Sequence, residues 1–321
     1  MTFSIIIAAY NIAPYIRQAV DSCIHQVGFP SNEYEVIIID DGSTDATSNI
    51  VDEYSSLPFV RVLHQPNMGL SGTRNAGIQL AQGDFILFLD GDDWLHPSAL
   101  NYLSKRIDKA DLIVFPMLYF YSQDKVLVRP YDLDSESIFN SSVFLRDTLG
   151  HTHLHIIPAQ CKCYKRSVLL ERRQFFIEGI LHEDNPFFAA TAYNFNRIAY
   201  INEGLYFYRQ NRDGSITNSQ TIRNFNGVKV GNESILELWG FANKYINYMV
   251  SCVNVFQVIM NYNNPHEVKM PLSFYSSYSQ RKIAFRQLLN YPFIPKALIR
   301  HLMLLLSPVL LRKLISFLYT R

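Results

Sequence analysis

Along the N-terminal third of the chain, short apolar runs rich in β-branched residues alternate with polar turns and helix-like stretches. Ser4–Ala9 and Tyr34–Ile39 read as strands, each followed by turn residues and then a helical pattern, over Ala13–Gln26 and Asp45–Ser55. Val60–His64 is a third strand, leading through a glycine-rich stretch into a helix near Ser71–Ala81. Phe85–Leu89 (FILFL) is a fourth strand, and it stops at an acidic turn. Strands alternating with helices at this spacing build βαβ units, so an α/β fold with a mostly parallel sheet flanked by helices is expected. Beyond Pro97 the pattern is mixed. Leu112–Phe120 reads as a strand, and Ser141–Thr148 and Asp184–Ala192 as helices. Phe225–Asn261 reads as a long helix, and Pro295–Tyr319 as a last one broken at Pro308. A boundary near Ile222–Gly227 divides residues 1–222, which hold every chemical motif, from a helical C-terminal extension over residues 223–321.

Ligands of an open parallel sheet bind in the crevice beyond the carboxyl ends of its strands. Asp40 and Asp41 close the second strand, and Asp90, Asp92 and Asp93 follow the fourth, so two acidic clusters converge on one rim. Helix capping by the turn Asp41-Gly-Ser-Thr-Asp45 accounts for one or two of these acids, but not for all of them. The Asp90-Gly-Asp92 spacing lets alternate carboxylates face one side of an extended turn, and Gly91 lets the backbone come close to a ligand. Hard oxygen donors of this kind suit Mg²⁺ or Mn²⁺ shared with a diphosphate. The segment Asn67–Gly77 (NMGLSGTRNAG) offers backbone N–H groups at a helix start, and Arg74, to an anion or a ribose. It is not G-x-G-x-x-G, and G-x-x-x-x-G-K-[ST] is absent from the chain, which removes the main evidence for a nicotinamide dehydrogenase or a P-loop NTPase.

At 321 residues with 48% apolar and 18% charged positions, the chain is globular and long enough for a sizeable core. Its 14% aromatic content is compatible with a sugar-handling cleft, although Phe187, Phe188 and Tyr206–Tyr208 read as core. The net charge of +1 conceals an asymmetry. Up to Leu100 only Arg17, Arg61 and Arg74 face twelve acids, whereas no acid follows Glu267. The acidic half can hold a metal, and the basic, apolar tail can lie on an anionic surface. The apolar stretch Leu302–Leu311 is too short to span a bilayer; flanked by Arg300, Arg312 and Lys313, it reads as a peripheral membrane element, with packing on the body or on another subunit as the rival reading. Cys23, Cys161, Cys163 and Cys252 lack zinc-site or disulfide-framework spacing and read as buried or idle thiols. His151, His153 and His155 alternate as strand-borne ligands would, but without a third ligand type they read as a non-metal feature. The N-terminus lacks a basic leader and a long apolar run, so cytoplasmic residence is expected.

Four segments together, SIIIAAYN (Ser4–Asn11), DDGSTD (Asp40–Asp45), NMGLSGTRNAG (Asn67–Gly77) and GDFILFLDGDDW (Gly83–Trp94), resemble the signature of family 2 glycosyltransferases with the GT-A fold. His182-Glu183-Asp184 followed by Asn-Pro-Phe-Phe resembles that family's base motif, and Tyr208-Arg209 with Gly214–Thr217 resembles an element of its bacterial polysaccharide members. The resemblance covers the chain up to about residue 220 and leaves the tail uncovered.

The resemblance implies a Rossmann-like GT-A domain and an inverting transfer of sugar from a nucleotide-diphosphate donor, a UDP-sugar, to a glycan or lipid-linked acceptor in surface polysaccharide synthesis at the inner face of the membrane. It implies that Tyr10 stacks on the donor base beside the backbone of Ala8, and that Asp41 accepts a hydrogen bond from the base. Arg74 would lie near the base or ribose, and Asp90 near the ribose. Asp92 would be the ligand of a Mn²⁺ or Mg²⁺ ion bridging to the diphosphate, and Asp184 the catalytic base. Arg209, with Ser215–Thr217, would belong to a flap over the pyrophosphate, while Asp93 has no assigned role. No nucleic-acid partner is expected. Two rivals remain: a nucleotidyltransferase, for which Ala8-Ala9-Tyr10-Asn11 lacks the glycine-rich basic loop, and a non-catalytic nucleotide-sugar-binding module, against which Asp92 and Asp184 together argue.

Overall fold

The computed structural model describes residues 1–131, 133–149, 156–210 and 222–239. In chain order the elements are β1 (Phe3–Ala9), α1 (Ala13–Ile24), β2 (Tyr34–Asp40), α2 (Thr47–Asp52), β3 (Val60–His64), α3 (Gly69–Leu80), β4 (Phe85–Asp90) and β5 (Trp94–Leu95). They continue with α4 (Ala99–Ser104), β6 (Leu112–Val114), β7 (Met117–Ser122), β8 (Lys125–Val128), β9 (Ile138–Phe139), α5 (Ser141–Leu149), β10 (Lys162–Lys165) and α6 (Arg166–Glu171). The last are α7 (Asp184–Asn194), β11 (Ile198–Tyr200), β12 (Tyr206–Arg209) and α8 (Ile222–Trp239).

Eight strands form the main sheet in the order β3-β2-β1-β4-β10-β6-β11-β9. β3, β2, β1 and β4 run parallel, and their registers bring the strand ends level: Ala9 pairs with Asp40, Asp40 with His64, and Ala8 with Asp90. Near-continuous burial of FSIIIAA and YEVIIID is what a strand covered on both faces requires. β10 enters antiparallel between β4 and β6, so residues preceding Lys162 arrive at the carboxyl rim of β4. Helix α1 opens with Pro14 in its first turn, where a missing N–H costs nothing, and buries Ile16, Ala19, Val20 and Cys23 at helical spacing.

The expected strand over Leu112–Phe120 is two strands. Pro116 interrupts it, having no N–H for a ladder, and the chain leaves the main sheet after β6 to start β7 in a second, four-stranded sheet ordered β5-β12-β7-β8. The helix expected over Phe225–Asn261 begins slightly earlier and is described to Trp239; the rest of it, the tail helix, Cys252, His151–His155 and Ser215–Thr217 lie outside the described residues. Cys23, Cys161 and Cys163 are buried free thiols.

The chain forms two compact units. The first lies within Met1–Thr148, His155–Gly179 and Glu183–Asp213 and contains both sheets. The second includes Ile180–His182 and α8. In that unit Gly227 packs so closely that an added Cβ would lie 2.3 Å from the carbonyl oxygen of Leu181.

Candidate active site

The rim is laced together by side chains of the Asp40–Asp45 loop. Asp45 accepts hydrogen bonds from the N–H of Ala13 and of Thr47, and the Thr47 hydroxyl accepts one from Ile12 N–H, so this loop caps the start of α1. Asn11, held at a φ of 49°, accepts from the backbone of Thr44 with its side-chain oxygen and donates its own N–H to the Ser43 hydroxyl. Tyr10, next to this clasp, is 49% exposed, and Ala8 beside it is half-buried. The ring is therefore open to solvent rather than consumed by the core.

Asp40 and Asp41 are both buried and already engaged. Burial opposes ionisation of Asp40, but hydrogen bonds from Ser43, Ser48 and His64 outweigh it and hold the carboxyl below its usual range. Asp41 accepts from Met68 N–H and Gly69 N–H, each at 2.8 Å, and from the Gln65 carboxamide. The start of α3 is thus capped from within the protein. The N–H groups of Met68 and Gly69, expected to be offered to an anion, are spent on Asp41 instead.

Arg74 occupies the centre. Its guanidinium, 1% exposed, pairs with Asp90 at 2.9 Å, with Glu183 at 3.0 Å and with Asp184 at 3.3 Å, while the face of Phe176 lies 5.1 Å away. A planar fork of donors can serve several carboxylates at once, which an ammonium cannot. Arg74 is accordingly a buried tie between α3, β4 and the start of α7. The side chains of Asp90 and Asp184 remain 22% and 24% exposed, so each turns an edge to the crevice. Burial pushes the pKa of Glu183 up to about 7 and raises that of Asp184, the charge of Arg74 opposing the shift in both. Neither the centrality of Arg74 nor the pairing of Asp90 with Asp184 was legible in the sequence.

Two further contacts come from the segment ahead of β10. Ala159 N–H donates to Asp184 at 3.2 Å, and the Gln160 carboxamide donates to Asp90. Neither an alanine amide nor a lone glutamine carries a motif, so nothing in the sequence pattern marks this segment.

On the other side of the rim, Asp92 is half-buried and its neighbour Asp93 is buried. Asp93 accepts from the Tyr206 hydroxyl at 2.6 Å and from Arg209 N–H at 2.7 Å, so it ties β5 to β12. Burial, and then the charges of Asp92 and Asp90, push its pKa well up. Arg209 donates Nε–H to the Asp92 carbonyl at 2.8 Å and an Nη2 hydrogen to Gln18 Oε1 at 2.6 Å, and stacks over the rings of Trp94 and Tyr15. It belongs to a strand of the second sheet, whatever the following segment does. Gly91 makes its close approach to the protein rather than to a ligand: an added Cβ would lie 2.1 Å from Ile12 Cδ1 and 2.9 Å from the Ala8 carbonyl oxygen.

Among the described residues no three His, Cys, Asp or Glu side chains form a metal cage. A single carboxylate, with phosphate oxygens and water completing the shell, is an arrangement Mg²⁺ commonly adopts, so the expected ion on half-buried Asp92 needs no such cage. Phe187 and Phe188 are buried, Phe187 stacked on Phe176 at 3.7 Å, which places them in the core as their sequence context suggested.

The sequence of Ser4–Arg173 matches the family model described as glycosyl transferase family 2. The chain belongs to that family. A similar protein is the uncharacterized glycosyltransferase EpsJ of Bacillus subtilis, 32% identical over 213 residues that make up 65% of this chain and 61% of EpsJ. The chain thus spans about three fifths of the length of that relative. Among solved structures, TarS 1–349 of S. aureus in complex with UDP matches with a TM-score of 0.71 at 20% identity, over 100% of this chain and 92% of that one. The mannosyltransferase PcManGT of Pyrobaculum calidifontis in complex with GDP-Man and Mn²⁺ matches with a TM-score of 0.50 at 15% identity, over 98% and 84%. These likenesses establish the mixed α/β GT-A architecture of the family 2 glycosyltransferases. No described helix of this glycosyltransferase family member is long and apolar enough to cross a membrane.

Proposed function

We propose that the chain is an inverting glycosyltransferase that moves a sugar from a UDP-sugar to a hydroxyl of a glycan or lipid-linked acceptor during bacterial surface polysaccharide synthesis. The observation that carries this reading is the single buried guanidinium of Arg74 shared by Asp90, on the rim of β4, and Asp184, at the start of α7. On this reading the guanidinium holds a donor-side carboxylate and a carboxylate base close together, each partly open to solvent. Tyr10 stacks on the base of the nucleotide, with Ala8 beside it, and Asp41 reads the base with the lone pairs its capping role leaves over. Asp90 holds the ribose, and Arg209 stands beside the diphosphate. Arg74, buried under both acids, acts as a positioning residue rather than as a donor contact.

In the transfer, Asp184 takes the proton of the acceptor hydroxyl as that oxygen bonds to the anomeric carbon. The bond from that carbon to the diphosphate oxygen breaks, and the nucleoside diphosphate leaves with the electron pair. A Mn²⁺ or Mg²⁺ ion on Asp92 would neutralise charge gathering on the diphosphate. The UDP-bound structure of TarS and the Mn²⁺ of PcManGT support the choice of nucleotide and of ion. Residues 1–222 would form the catalytic part, and residues 223–321 the helical part whose basic tail rests on the inner face of the cytoplasmic membrane.

Asp184→Asn tests the assignment. Transfer should fall by about 10²–10⁴-fold while UDP affinity, measured by calorimetry, stays at the wild-type value. Near-normal turnover in this variant would show that the base lies elsewhere.

A further inference from the structure

Lys162, the first residue of β10, is fully buried, a rare position for a lysine. Its ammonium donates to the carbonyls of three consecutive residues, Ile156, Ile157 (3.4 Å) and Pro158 (2.7 Å), and sits 5.2 Å from the ring of Phe188. Among the described residues no carboxylate lies within ion-pair distance of it. A buried cation answered by carbonyl dipoles, the Cys161 sulfur and an aromatic face, with no carboxylate beside it, is costly, and a methionine of similar shape would be cheaper to bury. What the charge adds is a pin through the turn 156–158. That turn delivers the next two residues to the site: Ala159 N–H to Asp184, and the Gln160 carboxamide to Asp90.

We propose that Lys162 is a positioning residue of the transfer reaction, which, by pinning the carbonyls of Ile156–Pro158, aims Ala159 N–H at Asp184 and so orients that base. The inference rests on the reading of Asp184 as the base. The charged and titratable groups facing Asp184 are Arg74 from α3, Asp90 from β4, Glu183 at its own side, and Lys162 and Tyr164 from β10. Arg74 is divided among three carboxylates, so Lys162 is the second cation acting on the base without being claimed by another acid. Burial lowers the pKa of Lys162 below the usual lysine range, with the charge of Asp184 among the influences that oppose the fall.

Two variants separate this role from a merely structural one. Lys162→Met removes the charge and the pin. Ala159→Pro removes the N–H at the first position of a one-turn 3₁₀ helix, after Pro158 whose ψ of 136° suits a residue before proline, at the cost of two added ring carbons in a buried position. Both should lower kcat about tenfold with donor KM and UDP affinity unchanged. Both should also move the acid limb of the kcat/KM–pH profile up by about one unit, because the ionised base loses a donor or a cation. Wild-type kcat and an unmoved acid limb in Ala159→Pro would overturn the proposal, even if Lys162→Met failed to fold. Asp184→Asn run alongside keeps the two readings apart. If it retains turnover, the base assignment has failed; if it is inactive while Ala159→Pro and Lys162→Met behave as wild type, only the role of Lys162 has failed.

Discussion

Arg74 Nη2 lies 2.9 Å from Asp90 Oδ1, across the junction between helix α3 and strand β4, with the guanidinium shut off from solvent and the carboxylate open on one side. This pair organises the crevice: the same guanidinium reaches Glu183 and Asp184 through its other nitrogen, so one cation balances acids from two distant parts of the chain.

Removing Arg74 would therefore leave several buried acids without a partner. Arg74→Met is expected to cost about 3–5 kcal/mol of folding stability, the range for breaking a buried ion pair from one side. Arg74→Lys should recover only part of it, since a point charge cannot serve the same set of oxygens. Chemical denaturation of both variants checks the order wild type, Lys, Met.

Gly91 ties the acidic turn to the first helix. Gly91→Ala would press a methyl group against Ile12 and the Ala8 carbonyl oxygen, 2.1 and 2.9 Å away, and the backbone oxygen cannot yield as a side chain does. A loss of about 1–3 kcal/mol is expected from the overpacking. Because Asp90 and Asp92 flank the glycine, UDP affinity should weaken as well. Denaturation midpoints and calorimetry on the same preparation measure the two effects.

His64 bridges Asp40 and Asp52 at 2.9 Å on each ring nitrogen, and hydrogen bonds to these two carboxylates raise its pKa above the usual histidine value. A pKa raised by folding stabilises the folded state fully below the unfolded-state value of about 6.5, and that contribution disappears as pH rises through the folded-state value. Asp40 has the opposite sign: its lowered pKa contributes stability that is lost as pH falls into the acid range. His64→Gln should flatten the decline of stability as pH rises from about 6.5, as read by denaturant unfolding at a series of pH values. An unchanged slope would show that His64 enters the folded state uncharged.

Sequence pattern was sufficient for the strands that end at the rim. β1, β2, β3 and β4 each declare themselves by an apolar run closed by polar turn residues, and those signals are local. The clustering of Asp40, Asp41, Asp90, Asp92 and Asp93 at strand ends was legible for the same reason, since a parallel sheet brings consecutive carboxyl ends to one side. Which of those acids are tied up by partners inside the protein was not legible. Asp41 caps α3, Asp93 is held inside by Tyr206 and Arg209, and both arrangements depend on partners many residues away.

Local order in the sequence thus determined the alternating framework and the stock of carboxylates at its edge. Only the tertiary structure decided how they divide the work. Arg74 and Asp184 are 110 residues apart and meet only in the folded chain, and β10, inserted antiparallel beside β4, carries Lys162 and the turn before it to the same rim. A short antiparallel strand of four residues has no periodicity long enough to announce its neighbours, so the burial of Arg74 and Lys162 follows from pairing across the sheet rather than from any stretch of the chain.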